Sequence, residues 1–381
     1  MREAVIVATA RTPLGKRGGL LSGVRPDEMG AIVLNAVVER AGIRPEMVED
    51  VVMGCVTQIG EQGANIGRLS VLLAGWPETV PAVSINRMCG SSQQAVHFIA
   101  TAIMSGAMEI GIAAGVESMS RVVPASDGAP LHPNILERFP IDTQFTGADM
   151  IAKKWGISRR EMDEYSHQSH LRASAATRAG YFKGEMVPMG VTAPDGRQVH
   201  MDFDEGIRHE PDLEKMLALK SPFGEDCLIT AGNASQVTDG AAAVLLMSRE
   251  KALELGLKPR ARIVAMAVVG SDPVMMLTGP IPATKMVLDR AGLTLDDMDA
   301  IEINEAFASV VLAWAREYEP DMSKVNPVGG AIALGHPVGC SGARLMGTLL
   351  HHLERTGGRY GLQTMCIGHG MGIATIIERL D

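Results

Sequence analysis

The sequence predicts an α/β protein built from two similar halves with a long insertion between them, and three observations carry that prediction. Short runs recur that are apolar throughout rather than alternating, which suits strands covered by helices on both faces. A pattern of the first half returns 250 positions later. A stretch over about 119–245 fits neither copy, and long insertions of this kind build binding loops. At 381 residues the chain is also too long for one simple core.

In chain order, Val5–Ala8 reads as the first strand. Val37-Val38-Glu39-Arg40-Ala41-Gly42-Ile43 reads as the end of a helix, with Gly42 as its left-handed cap. An acidic turn leads into a strand at Val51–Met53. Val80–Ile85 is a further apolar strand, followed by the turn Asn86-Arg87-Met88-Cys89-Gly90-Ser91-Ser92. Ala95, Phe98, Ile99, Ala102 and Ile103 then recur at the spacing of a helix with one buried face. Ile110–Ala114 is the next strand. The insertion opens irregularly at Val123-Pro124-Ala125-Ser126 and contains a charged helix near Ser158 to Gly180. Asn233-Ala234-Ser235 leads back to the core at Asp239–Met247, with a strand at Val244–Met247.

The second half restarts with Val287-Leu288-Asp289-Arg290-Ala291-Gly292-Leu293, and Asp296, Asp299, Ile301 and Ile303 answer Glu46, Glu49, Val51 and Met53. Ile301–Ile303 is its strand. Gly335-His336-Pro337-Val338-Gly339-Cys340-Ser341-Gly342 stands where the Cys89 turn stood, with His336 answering Asn86, and it too leads into a helical stretch, Ala343 to Leu353. Thr375–Ile377 is the last strand. Repetition over two long halves points to duplication of one α/β unit. The expected division is 1–118 with 246–265 as the first half, 119–245 as the insertion and 266–381 as the second half.

Composition narrows the function. Hydrophobic content of 46% and charged content of 21% are those of a globular protein. A net charge of −9 without any Lys/Arg-rich run argues against a nucleic-acid binder. Twenty-four methionines against 4% aromatics suggest an aliphatic, adaptable core. The five cysteines are scattered and odd in number, so no disulfide framework is expected and a reducing compartment, the cytoplasm, is. The first apolar run contains Glu3 and is too short for a signal peptide, and no run approaches the ~18 apolar residues of a membrane span. Cys366 and His369 have a ligand-like spacing, but no second pair accompanies them, so no metal is expected.

Four polar segments lie near strand ends. They are the Cys89 turn, Asn304-Glu305-Ala306-Phe307, Gly329-Gly330-Ala331-Ile332-Ala333-Leu334-Gly335-His336-Pro337 and Cys366-Ile367-Gly368-His369-Gly370-Met371-Gly372. Each has a bland reading: His336 as a satisfied core histidine, Cys366 as filler, the glycines as turns. Cys89, at the mouth of a helix, is either small apolar filler or a thiol that the free N–H groups and the helix dipole help to ionise.

Together the four segments resemble those of the thiolase family, and the resemblance spans the chain from Val7–Lys16, with Arg11-Thr12-Pro13 and Gly15-Lys16, to the closing Cys366-x-Gly368-x-Gly370. It implies a five-layered α-β-α-β-α fold of two duplicated halves, with a loop domain inserted in the first that binds coenzyme A. It implies that Cys89 takes the acyl group, that His336 accepts its proton, and that Cys366 is the second acid/base. Asn304 would hold a water that, with His336, meets one enolate oxygen, and the N–H groups of Cys89 and Gly368 would form a second oxyanion hole. Arg208, Phe223 and Ser235 match the coenzyme A tunnel, with Met276 and Ala306 nearer the thioester. The implied reaction is cleavage of 3-oxoacyl-CoA by coenzyme A into acetyl-CoA and a shortened acyl-CoA. No tightly bound cofactor or metal is implied. The expected assembly is a homodimer or a homotetramer.

The chemistry agrees with those residue types. A thiolate makes a second thioester and leaves readily. The departing enolate needs fixed donors, and its carbon needs an acid. Two departures from the family pattern bear on substrate. Thr143-Gln144-Phe145 stands where acetoacetyl-specific members carry His-Met-Gly, and His369 stands where Gly is usual. Several segments, Asp272 to Pro280 among them, are similar to thiolases of bulky or steroid side-chain acyl-CoAs. The alternatives are an acetoacetyl-CoA-forming acetyltransferase and a non-catalytic acyl-CoA-binding relic.

Overall fold

The first half supplies β1 (Ala4–Arg11), α1 (Pro26–Ala41), β2 (Asp50–Gly54), α2 (Ile66–Leu73), β3 (Ala82–Ile85), α3 (Ser91–Ser105) and β4 (Ile110–Ser118) in a computed structural model that describes residues 2–128 and 130–381. The insertion follows, with α4 (Gln144–Lys154), α5 (Arg159–Arg178) and a hairpin of Met189–Thr192 with Gln198–Met201. β5 (Thr238–Ser248) then returns to the sheet, giving the order β3-β2-β4-β5-β1. The second half supplies β6 (Ala261–Gly270), α6 (Pro280–Ala291), β7 (Ala300–Ile303), α7 (Ala308–Tyr318), α8 (Ser341–Thr356), β8 (Tyr360–Ile367) and β9 (Met371–Arg379), in the order β7-β8-β9-β6.

The repeat is visible in the hydrogen-bond register. Val51 pairs with Ile112 between parallel β2 and β4, and Ile301 with Leu362 between parallel β7 and β8, each residue 250 positions from its counterpart. Ile112 then faces Leu245 on antiparallel β5, as Leu362 faces Ile376 on antiparallel β9. The β2–β3 pairing has its echo in a single parallel bridge, Ile301 to Val325. Both first helices end as the sequence predicts, at Gly42 and Gly292, with φ of 68° and 66°. Each cap N–H returns to a carbonyl of the last turn, which only a residue free to adopt positive φ allows without strain.

Apolar strand runs follow from two-sided burial. On β5, Ala241, Ala243, Leu245 and Met247 join the cluster under α1, while Ala242, Val244 and Leu246 join the cluster around α3 and α8. On the far side, Ile301, Ile303 and Ala374 pack with Val287 of α6 and Trp314 of α7. The layers are therefore α1 with α2, the first sheet, α3 with α8, the second sheet, and α6 with α7. The central pair meets at a glycine. A Cβ on Gly342 would fall on the backbone nitrogen of Gln93, so α8 can approach α3 only with glycine there.

Three features differ from the sequence reading. The two sheets are joined at one corner, because Val5 and Ile6 of β1 pair with Arg262 and Ala261 of β6. Strands β6 and β8 were not marked by an apolar run. β6 alternates buried and half-buried positions and carries Arg262, and β8 carries Gln363 and Thr364 in its middle. The returning strand is also longer than the Val244–Met247 run, since β5 begins at Thr238.

Candidate active site

The turn into α3 is built by local polar bonds. Asn86 Oδ1 accepts from the Met88 N–H at 2.7 Å, and Ser91 Oγ accepts from the Arg87 N–H at 2.9 Å while donating to the Met88 carbonyl at 2.6 Å. Met88 is held at φ 46°, a left-handed conformation that turns the chain sharply just before Cys89. Gly90 is required by the other half: a Cβ there would lie 2.6 Å from Ile367 Cδ1. Cys89 is partly buried among Met88, Leu345, Met365, Ile367 and Ile373. The N–H groups of Gly368 and of Cys89 itself reach its thiol and favour ionisation, but burial outweighs them and pushes the thiol up to about 11. Desolvation thus opposes the ionising influence of the helix mouth on the resting thiol.

The matching turn into α8 uses the same serine. Ser341, 250 positions beyond Ser91, donates its hydroxyl to the Pro337 carbonyl at 2.9 Å, as Ser91 does to Met88. Its only proton is spent there, so its oxygen accepts from His336 Nδ1 at 2.6 Å. The proton of the neutral ring is therefore assigned to Nδ1, and Nε2 is left bare. Nε2 faces Asn304 Nδ2 at 3.4 Å. His336 is buried at 5% exposure, and burial together with the Arg344 charge lowers its pKa to about 3. Its backbone is fixed by the Gln236 carbonyl at 3.1 Å.

Asn304 follows β7, its N–H donating to the Thr364 carbonyl at 3.0 Å; it is fully buried, and among the described residues its Oδ1 has no donor. Cys366 lies near the end of β8 with no exposure, and burial and the proximity of Cys89 hold its thiol well above the ordinary range. It shares an apolar cluster with Met276, Leu277, Ala306, Phe307 and Ile332. His369 lies three residues on, exposed and at φ 63°, where the usual glycine would be unstrained.

Two buried carboxylates hold the turns. Glu117, at the end of β4, accepts from Val56, Thr57 and Gly339 N–H and from Gln62. Glu305 accepts from Tyr165 and Ser169 of α5, from Asn326 and from the Ile332 N–H, so it ties the loop before His336 to the insertion. Sequence reasoning gave neither a role. Ser341 was legible as the repeat of Ser91, and Glu117 as a carboxylate closing an apolar run.

The residues expected along a coenzyme A tunnel fall into two groups. The Ser235 N–H donates to the Ala306 carbonyl at 2.9 Å, and Met276 is buried at φ 59° in the cluster that holds Ala306 and Cys366. Phe223, half exposed, stacks on Phe145 at 4.5 Å, and Phe145 meets Phe307 edge-on at 5.4 Å, an aromatic path from the surface to the Cys366 cluster. Arg208 stands apart, exposed on a cleft of about 360 Å³ lined also by His209, Glu210, Asp212 and Lys215, where the Lys215 ammonium is paired with Asp212 at 3.0 Å. The Arg208 guanidinium suits a phosphate, with two carboxylates beside it.

Comparison with known proteins agrees along the whole chain. Residues 4–250 match the family description "Thiolase, N-terminal domain", and residues 257–379 match "Thiolase, C-terminal domain". A steroid 3-ketoacyl-CoA thiolase of Mycobacterium tuberculosis is 49% identical over 100% of this chain and 95% of its own length. A 3-ketoacyl-CoA thiolase of Vibrio parahaemolyticus is 46% identical over 99% of this chain and 98% of its own. The crystal structure of an acetyl-CoA acetyltransferase of Bacillus anthracis superposes with a TM-score of 0.92 at 38% identity, covering 100% of this chain and 99% of that one.

Proposed function

The chain belongs to the thiolase family, and from that premise we propose that it is a coenzyme A-dependent acyltransferase that cleaves 3-oxoacyl-CoA into acetyl-CoA and a shortened acyl-CoA through an acyl group on Cys89. The observation that carries the mechanism is the pairing of two neutral groups. Burial keeps Cys89 as a thiol and His336 as a base bare at Nε2. As Cys89 Sγ bonds to the C3 ketone carbon, its proton passes to Nε2, so charge appears only along the reaction coordinate. The C2–C3 bond then breaks, its electron pair forms the acetyl-CoA enolate, and Cys366, protonated at rest, gives its proton to C2. In the second half-reaction the coenzyme A thiol gives its proton to the Cys366 thiolate, its sulfur bonds to the acyl carbon, and the Cys89 sulfur leaves, taking back the proton held by His336. The Gly368 and Cys89 N–H groups suit one oxyanion, and a water on Asn304 Oδ1 suits the other.

Coenzyme A enters as co-substrate, with its phosphates on the Arg208 cleft and its thiol arm passing Phe223, Ser235, Ala306 and Met276. The aromatic path of Phe223, Phe145 and Phe307 favours an apolar acyl group longer or bulkier than acetoacetyl, in keeping with the steroid thiolase relative. The edge of β3, with Val83 exposed and Leu72 and Leu73 of α2 beside it, suits a second copy, so a homodimer is the assembly we favour. Five free cysteines fit the cytoplasm. The test is an assay with acetoacetyl-CoA and a longer 3-oxoacyl-CoA, with and without free coenzyme A, following loss of the enolate absorbance. Turnover should require free coenzyme A and favour the longer substrate. Turnover without it would remove the thiolase reading.

A further inference from the structure

The repeat gives the active site a second copy, and that copy is closed. At the 250-residue offset Gly339 answers Cys89, Cys366 answers Val116, Ile367 answers Glu117 and Ala306 answers Val56. At the Cys89 turn the neighbouring strand end offers an apolar side chain, Ile367, and the Gly368 N–H. At the Gly339 turn the neighbouring strand end offers the carboxylate of Glu117, 1% exposed on β4. A Cβ on Gly339 would lie 2.6 Å from the Val116 carbonyl oxygen, 2.7 Å from Glu117 Oε2 and 2.8 Å from Cys55 Cα. No side chain fits there, so only one of the two turns can carry a nucleophile.

One atom of Glu117 joins the two turns. Its Oε2 accepts from the Gly339 N–H at 3.0 Å and from the Val56 N–H at 2.9 Å. On one side, Gly339 lies between His336 and Ser341, whose hydroxyl meets His336 Nδ1 at 2.6 Å. On the other, the Val56 carbonyl accepts from Asn86 Nδ2 at 2.9 Å, and Asn86 Oδ1 accepts from the Met88 N–H at 2.7 Å, one residue before Cys89. The second oxygen, Oε1, accepts from the Thr57 N–H at 3.1 Å and from Gln62 Nε2 at 2.8 Å. All four partners are donors, so a proton on either oxygen would face an N–H, and the arrangement is that of a carboxylate. Burial pushes the carboxyl up, and the four donors oppose it.

Taking Cys89 as the nucleophile and His336 as its base, as above, we propose that Glu117 is a positioning residue of the acyl-transfer site. By holding Val56 and Gly339 on one oxygen it sets the Cys89 turn against the His336 turn. The bodies of α3 and α8 have their own tie, since Ser92 Oγ accepts from the Ala343 N–H at 2.9 Å. Glu117 acts instead on the turns that precede the two helices, and those turns carry the reacting side chains. Its loss therefore changes alignment at the site more than the packing of the core.

The experiment compares the wild type, Glu117→Gln, Asn86→Asp and the double variant in thiolysis of a 3-oxoacyl-CoA by coenzyme A, with rates per mole of folded enzyme. Glu117→Gln keeps the shape but sets an amide NH2 against two of the donors. Asn86→Asp, at an exposed position, keeps the acceptor for Met88 and removes the donor to Val56. Each should lower kcat by about 10–100-fold with KM unchanged, because alignment of thiol and base acts on the chemical step. The double variant should lose no more than the worse single one, since both cut one line of bonds. The rate at which iodoacetamide alkylates Cys89, read by peptide mass spectrometry, should fall in parallel, because it draws on the same proton transfer to His336. A merely structural role would lower the yield of folded enzyme or its melting temperature and leave both constants of the folded molecules unchanged. That result, or single losses that multiply in the double variant, would overturn the inference. If Glu117→Gln does not fold, Glu117→Asp, which keeps the charge but falls short of one pair of donors, takes its place with the same expectation. The wild type separates the two failures. An alkylated Cys89 with unchanged variants overturns this inference alone, and a Cys89 that takes neither iodoacetamide nor an acyl group overturns the site reading beneath it.

Discussion

At Cys89 two influences oppose each other, and their sizes decide the outcome. A helix end contributes about 0.3–1 kcal/mol toward an anion. Raising the thiol from 9.0 to about 11 corresponds to roughly 3 kcal/mol in the other direction. Burial wins, which favours the neutral thiol at Cys89 and, by the same cause, the neutral imidazole at His336. Cys366 is protonated for the same reason, which suits an acid more than a nucleophile. Cys366→Ser should therefore still take an acyl group onto Cys89 from a saturated acyl-CoA, while thiolysis of 3-oxoacyl-CoA falls by about 10²–10⁴-fold. Stopped-flow and steady-state rates on the two substrates check this, and equal losses on both would refute the division of labour. Cys89, Asn304, His336 and Cys366 stood out in the sequence because cysteine, histidine and asparagine near Gly-rich turns are chemically conspicuous, although His336 follows the short helix Ala331–Leu334 rather than a strand. The Ser341 proton that fixes His336 was not, because a hydroxyl's partner is set by three-dimensional proximity.

At the scale of elements, α3 and α8 deliver the chemistry. Each follows a strand or loop end, opens with a serine that caps its own turn, and lies between the two sheets. Their close approach depends on Gly342, whose added Cβ would also lie 2.8 Å from Gln93 Cβ. Gly342→Ala should destabilise the protein by about 1–3 kcal/mol in denaturant unfolding and lower activity by moving Cys89 relative to His336. Gly347→Ala on the same helix is the control. Its Cβ would meet Thr9 at an ordinary 3.6 Å, so it should be neutral or stabilising by up to about 1 kcal/mol. Equal effects of the two would contradict the packing argument. The helices and most strands were legible from apolar spacing and glycine caps. β6 and β8 were not, since one alternates around Arg262 and the other carries buried polar residues whose partners lie on α8 and β9.

At the scale of the molecule, duplication explains how one chain assembles a two-sided site. The first half contributes Cys89 at the start of α3, and the second contributes His336 before α8, Asn304 after β7 and Cys366 on β8. The repeat was legible in the sequence, whereas the corner joining the sheets was not, since two residue pairs between β1 and β6 leave no pattern in composition. The insertion, tied by Glu305 to the loop before His336, carries the Arg208 cleft and contributes Phe145 and Phe223 to the aromatic path. The central claim is that the acyl group passes through Cys89. The direct measurement is peptide mass spectrometry of the enzyme quenched after mixing with a 3-oxoacyl-CoA in the absence of free coenzyme A. The peptide containing Cys89 should gain the mass of the shortened acyl group. An unmodified Cys89 peptide, or the acyl group on Cys366 instead, would contradict the account.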